Sequence, residues 1–414
     1  VLVILIDGLD YQLLSYVAPL VIAEFGVSKA ELGTALAAAL VGMAIGAIVG
    51  GTIGDRIGRK PTIVITTALF GLTTIATGFA GNLTELVVLR LIAGLGFGAA
   101  FPNALALTAE WMPVKLRTMA IALCTVGSAV GGLIGAGVAA LLIPLGGWRS
   151  CFLFSGIFTV AAAVLLVVLL LESPGYLLKK GLNARLHQVL RTAFPADPAL
   201  PAPTEPSPAP IDGRQPSILS RRYLRTNIAL WVATIGYAVA SFGTYSWTTT
   251  ILMASGLSLN AALLGASAYS SLALAGPLIS GAIATVLSSR TVLFGLLVIW
   301  IGASLALLSA LSIAAAPWLS YLCLAVIGFC AGSYAAVLYA AAADLYEPAA
   351  RSGGIGATIG VSRIGGIMAT AIGGALLTLD PTFAVFYISM AILLAGSLIG
   401  VWLMPRGYRA PTRA

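Results

Sequence analysis

The sequence predicts an all-α membrane protein, with twelve transmembrane helices arranged as two six-helix pseudo-repeat bundles. Three observations carry this prediction. Of 414 residues, 59% are hydrophobic and only 9% charged, with a mean hydropathy of +1.03, whereas soluble proteins carry about 25% charge. The apolar residues run continuously over lengths of ~20, enough to cross a bilayer, and do not alternate as outer-membrane strands do. The runs fall into two sets of six, parted by one hydrophilic gap. A soluble multi-domain enzyme and an outer-membrane barrel are excluded.

The first six apolar segments lie at 1–24, 30–53, 61–80, 83–109, 118–143 and 150–171, each bounded by Gly, Pro or charge. The second six lie at 224–253, 260–287, 291–313, 318–343, 353–378 and 382–404. The expected organisation is a first bundle over 1–174, a linker over 175–222, a second bundle over 223–404 and a tail over 405–414. Residues 195–216 hold eight of the 20 prolines, which bars a long helix and predicts an extended connector. Val1 opens inside an apolar run without a methionine, which predicts a short preceding tail.

Lysine and arginine set the orientation. Eighteen of them fall in the 2–3, 4–5, 6–7, 8–9 and 10–11 loops and the tail, against only Lys29 and Arg149 on the other side. The linker and both termini are therefore expected on the cytosolic side. Arg90 and Arg363 remain inside segments 4 and 11.

The halves repeat at a constant offset of 234 residues. Glu110 falls on Asp344, Arg117 on Arg351, Ser128 on Ser362, Arg56 on Arg290 and Tyr11 on Tyr245. Gly94 and Gly98 fall on Gly328 and Gly332. Parallel repeats of this kind predict a transporter with its substrate site between the halves, near the midplane.

Segment 1 contains Asp7-Gly8-Leu9-Asp10-Tyr11. A carboxylate in hydrocarbon is costly and marks a pathway or a proton relay. Asp7 and Asp10, three apart, share one helix face, and Gly8 permits a close backbone approach. The only histidine, His187, lies in the polar gap, so protons crossing this membrane must use carboxylates. Arg90 cannot lose its charge and needs a carboxylate or a substrate anion beside it. Arg363 has Ala129 as its repeat partner, so symmetry does not require it and an anion-binding role is expected. Tyr11 and Tyr245 gain weight as ring contacts because the repeat relates them. Glu110 with Arg117, and Asp344 with Arg351, sit at the ends of segments 4 and 10 and are expected to act as gate or latch pairs. The glycines of segment 4 follow no strand and are surfaces for close helix packing. The four cysteines show neither metal spacing nor a disulfide framework, and no cofactor, metal or nucleic-acid partner is expected.

The loop Gly54-Asp55-Arg56-Ile57-Gly58-Arg59-Lys60 resembles the signature loop of the major facilitator superfamily. In it Asp55 is expected to cap a helix end while Arg56 and Arg59 reach carboxylates, latching the halves on the cytosolic side. The Asp-Gly-x-Asp motif, Arg90, the run Tyr346-Glu347-Pro348 to Arg351, and Ser362-Arg363 together resemble the aromatic acid:proton symporter family. That resemblance implies the major facilitator fold and uptake of a benzoate-like acid across a bacterial inner membrane. It also implies that Asp7, Asp10, Arg90, Glu110, Arg351 and Arg363 matter. The partners expected are a small aromatic acid, protons and the lipid bilayer, for a protein acting as a monomer. Asp7 or Asp10 would carry the proton, and Arg90 or Arg363 would hold the substrate carboxylate. A symporter of non-aromatic organic or sugar acids, or an exporter, is the alternative; in place of the aspartate usual in the 8–9 loop stands Ser289.

Overall fold

A computed structural model describes residues 1–193, 218–312, 317–347 and 350–405. Regular structure among them is helical. The first half holds α1 (Leu2–Phe25), α2 (Lys29–Ile57), α3 (Arg59–Thr77), α4 (Leu83–Trp111) and α5 (Val114–Leu169). Two short helices follow, α6 (Pro174–Lys179) and α7 (Asn183–Ala193), and a 3-10 turn spans Arg221–Tyr223. The second half holds α8 (Leu224–Ala254), α9 (Leu259–Val286), α10 (Ser289–Ser312), α11 (Pro317–Leu345), α12 (Arg351–Leu379) and α13 (Ala384–Leu403).

Among the described residues, eleven helical stretches are long and apolar enough to cross a membrane, one of them 44 residues long. That stretch is two spans. Within α5, Gly146 (φ −147°, ψ 19°) and Gly147 (φ 67°, ψ −171°) leave the helical region, and a positive φ is tolerated at little cost only by glycine. The chain reverses there, giving arms at 114–145 and 148–169 and twelve spans. The first flank of the hydrophilic gap folds into α6 and α7. The Pro-rich run lies outside the described residues.

Small residues set the packing, as expected where lipid supplies no hydrophobic drive between helices. On α4, a Cβ at Gly94 or Gly98 would collide with the α2 backbone at Ala39 or Met43. Gly328 and Gly332 of α11 abut Tyr269 and Ala273 of α9 in the same way. These partners are related by 230 residues, not by the 234 that relates the glycines, so α9 is displaced by one helical turn. The same shift places Arg290, second residue of α10, in the position of Lys60 and not of Arg56. Arg290 donates to the Trp402 carbonyl at the end of α13, 2.6 Å away.

The halves meet through α1 with α8, α2 with α12, and α5 with α9. At the end remote from the linker they are in firm contact. A Cβ on Gly33 would lie 2.7 Å from the Thr370 carbonyl oxygen, and Lys29 Nζ donates to the Leu377 carbonyl at 3.3 Å. Towards the linker end, Gly356 and Gly360 of α12 meet nothing within 4 Å. The halves are closed against each other at the far end, while α12 borders open space at Gly356 and Gly360.

Candidate functional site

The α1 motif is held by its glycine. A side chain at Gly8 would run into the Ser128 carbonyl of α5, so the backbones of α1 and α5 touch beside both aspartates. Three residues turn a helix by about 300°, so the two carboxylates lie about 60° apart on neighbouring parts of one face. Asp10 faces α4, where Arg90 Nη1 donates to Asp10 Oδ2 at 2.8 Å with side chains only 3% and 5% exposed. Arg90 Nη2 also donates to Thr77 Oγ1 at 2.8 Å, and its guanidinium stacks on Phe152, 5.0 Å from the ring centroid. Arg90 is thus neutralised and enclosed within the first half.

Asp7, one turn earlier on the same face, looks towards the second half. It lines a cavity of about 380 Å³ between the halves, together with Tyr11, Ser128 and Ala129 from the first half and Arg363 from the second. Arg363 and Ala129, the asymmetric repeat pair, both line this cavity, so the cation in its wall comes from the second half. Asp7 lies within electrostatic reach of that guanidinium. Asp7 also borders a void of about 20 Å³ shared with Asp10 and Arg90, and so stands between the cavity and the buried pair.

Rings form much of the remaining wall. The repeat-related Tyr11 and Tyr245 stack across the interface, with centroids 6.1 Å apart and planes 14° from parallel. Tyr245 continues to Tyr269 at 5.4 Å, and the Tyr269 hydroxyl lies 3.3 Å from Ser241 Oγ. A volume of this size, with one guanidinium, one carboxylate, hydroxyls and aromatic faces, suits a small planar anion. Ser241 and Phe242 line the cavity too. They carry no charge and no motif, so sequence reasoning missed them; only their spacing from Tyr245 along α8 pointed their way.

The latch residues gather at the linker end of the first half. Arg59 Nε donates to Glu110 Oε1 at 2.8 Å, and Arg59 Nη2 lies 3.7 Å from Asp55 Oδ1. The Arg56 carbonyl accepts from the Tyr176 hydroxyl at 3.2 Å, and Glu110 accepts a hydrogen bond from Ser173. Glu172, which sequence reasoning passed over, caps α3 by accepting the backbone N–H groups of Arg59 and Lys60 at 2.9 and 3.1 Å. These contacts tie α2, α3 and α4 to the start of α6, all on one side of the interface, and Asp55 is 64% exposed. In the second half Asp344 and Arg351 are both exposed, while Glu347 pairs with Arg222. The side chain of Arg117 lies outside what the structure describes.

The sequence model of the Major Facilitator Superfamily matches residues 1–323 and 254–414. The chain is 32% identical to a gallate transporter of Pseudomonas putida over 91% of this chain and 84% of that protein. It is 30% identical to the 4-hydroxybenzoate transporter PcaK of Pseudomonas aeruginosa over 92% of this chain and 86% of that one. Among solved structures, a bacterial homologue of the human lysosomal transporter Spinster, in an inward-facing and unoccupied conformation, superposes with a TM-score of 0.73 at 18% identity. That superposition covers 97% of this chain and 92% of that one, and shows the fold. The chain belongs to the Major Facilitator Superfamily, and it is a multi-pass membrane transporter, not an enzyme.

Proposed function

We propose that this member of the Major Facilitator Superfamily imports a small aromatic carboxylate together with protons, by alternating access, across a bacterial inner membrane. The observation that carries this reading is the cavity between the halves, where Arg363 and Asp7 share a wall with stacked tyrosines. The names of the relatives, transporters of gallate and 4-hydroxybenzoate, support the substrate class. The excess of basic residues at the linker end supports cytosolic termini, and a cavity built by one chain supports a monomeric transporter.

In this mechanism Arg363 holds the substrate carboxylate through its planar pair of N–H donors. Tyr11, Tyr245 and Tyr269 pack the ring. Substrate occupying Arg363 deprives Asp7 of its counter-charge, and Asp7 then takes a proton, which couples the two cargoes. Arg90 and Asp10 serve as the fixed support of the site, and the Arg59–Glu110 and Asp55 cluster sets the stance of the linker end. One pH unit supplies ~1.4 kcal/mol per proton. A monovalent anion with one proton moves no net charge, while a second proton would also exploit the potential, at ~2.3 kcal/mol per 100 mV.

Uptake of labelled benzoate-like acids into proteoliposomes, with and without an inward proton gradient, tests the reading. Accumulation that follows the gradient and is competed by hydroxylated benzoates is the expected result. Accumulation of sugar acids in their place would transfer the substrate to the alternative class, and gradient-independent equilibration would remove the proton.

A further inference from the structure

A second, larger cavity lies away from the transport path, on the outside of the first half at the linker end. It measures about 650 Å³ and is enclosed by α3, the second arm of α5, and the two short helices that follow. Its inner wall is apolar, with Val64 and Ile65 from α3 facing Val167 and Leu171. Ile65 and Val167 are 59% and 52% exposed. Below them the exposed ridge continues along both helices through Leu69 and Leu72 and through Val164 and Val168. This wall therefore opens sideways onto the surface that faces acyl chains.

The rim is different. Lys60 closes the apolar part of α3, since residues 61–77 carry no charge. Arg185 and Gln188 look in from α7, whose Leu186 is buried and anchors the helix over the groove. The other polar groups of the rim are engaged. Glu172 Oε1 accepts three backbone N–H groups, those of Arg59, Lys60 and Ser173. The Tyr176 hydroxyl donates to Arg56, and the Thr192 hydroxyl to the Gln188 carbonyl. Among the described residues, the side chains of Lys60 and Arg185 make no hydrogen bond or ion pair. In the second half Arg290, in the position of Lys60, is committed to the Trp402 carbonyl.

We propose that this groove is a binding site for an anionic glycerophospholipid. The phosphate sits between Lys60 and Arg185, Gln188 donates to the headgroup, and the acyl chains lie along Ile65 and Val167. Two uncommitted cations at the level where apolar helices emerge match an anionic headgroup in charge and in depth. The lateral opening of the apolar wall matches a lipid and not a soluble anion. Because α7 roofs the groove and α6 abuts the Arg59–Glu110 cluster, the bound lipid would brace the linker segment against the first half.

The test titrates the purified full-length protein in detergent with phosphatidylglycerol, phosphatidylcholine and glycerol phosphate, with bound ligand counted by native mass spectrometry. A discrete phosphatidylglycerol adduct is expected, stronger than any phosphatidylcholine adduct. The double variant Lys60→Gln/Arg185→Gln should bind it about thirtyfold more weakly, the effect of two cations beside an anionic surface. Lys179→Gln/Lys180→Gln, which removes neighbouring charges outside the groove, should bind as the unaltered protein does. Val167→Trp keeps both cations but fills the apolar wall, and should also weaken phosphatidylglycerol. Equal affinity in the Lys60/Arg185 variant, equal binding of phosphatidylcholine, or displacement of the lipid by glycerol phosphate at matching concentration would each overturn the proposal.

Discussion

Arg90 and Asp10 form a buried ion pair of 2.8 Å inside the first half, and neither residue lines the cavity between the halves. Thr77 and the Phe152 ring complete the enclosure of the guanidinium. A buried pair of this kind barely repays its own desolvation, but loss of one partner leaves an uncompensated charge. The pair therefore separates two aspartates that look alike in sequence: Asp10 is held in the buried pair and Asp7 lines the cavity.

Asp10→Asn should consequently act on stability. A loss of about 3 kcal/mol is expected for breaking a buried pair, seen as a lowered unfolding temperature of the detergent-solubilised protein. Asp7→Asn, which leaves the Arg90 pair intact, should unfold close to the unaltered protein. Equal lowering by both substitutions would contradict the division of roles.

How far the sequence disclosed this arrangement depends on what each feature rests upon. Spans follow from hydropathy, which is local, and even the turn hidden within α5 is marked by Gly146-Gly147. The repeat is visible in the glycines of α4 and α11, because both helices need thin faces at equivalent points. It slips by one turn in α9, whose contacts with α11 lie 230 residues from those of α2 with α4, and Arg290, at the start of α10, therefore stands where Lys60 does. The repeat sets Arg363 apart from Arg90, because its partner is Ala129. Which aspartate meets Arg90 is legible only in the structure, which pairs it with Asp10 and leaves Asp7 in the cavity that Arg363 lines. Glu172 escaped notice because a carboxylate that caps a distant helix through backbone N–H groups leaves no spacing signature.

Arg363→Lys should weaken substrate binding while the protein inserts and folds. Lysine keeps the charge but offers a point donor where guanidinium offers a planar fork. Loss of one of two charge-assisted hydrogen bonds, worth about 1.5–3 kcal/mol, corresponds to roughly a tenfold to hundredfold rise in Kd by calorimetry. The Arg90→Lys comparison is informative, because its expected defect is in unfolding temperature and not in affinity.

The linker-end cluster makes a different demand. Asp55 is 64% exposed and 3.7 Å from Arg59, whereas Glu110 holds Arg59 at 2.8 Å. Asp55→Asn should cost little stability, as expected of an exposed charge, yet it should alter how often the halves close at this end. A cysteine placed at Gly356, where the structure has open space, reports that balance through its labelling rate. Glu110→Gln should cost about 1 kcal/mol of stability, as for a partly exposed pair, and so lower the unfolding temperature. An unchanged labelling rate in Asp55→Asn would remove Asp55 from gating.

Coupling is the sharpest test, because it asks what Asp7 does beyond occupying the cavity. Asparagine at position 7 is nearly the shape of a protonated aspartate but cannot titrate. If Asp7 carries the proton, Asp7→Asn should resemble a transporter frozen in its protonated form. Substrate should still meet Arg363, and exchange of labelled for unlabelled acid across the membrane should persist, since exchange requires no net proton movement. Uphill accumulation under a proton gradient should disappear, because no group remains to link the fluxes. Asp10→Asn molecules that survive purification should behave in the opposite way, with exchange and accumulation falling together as the folded fraction falls. The measurement pairs counterflow with gradient-driven uptake in the same proteoliposomes. If Asp7→Asn still accumulates substrate under the gradient, the proton does not travel on Asp7. With Asp10 held by Arg90 and no histidine in the spans, symport would then have no carrier among the carboxylates that line the cavity.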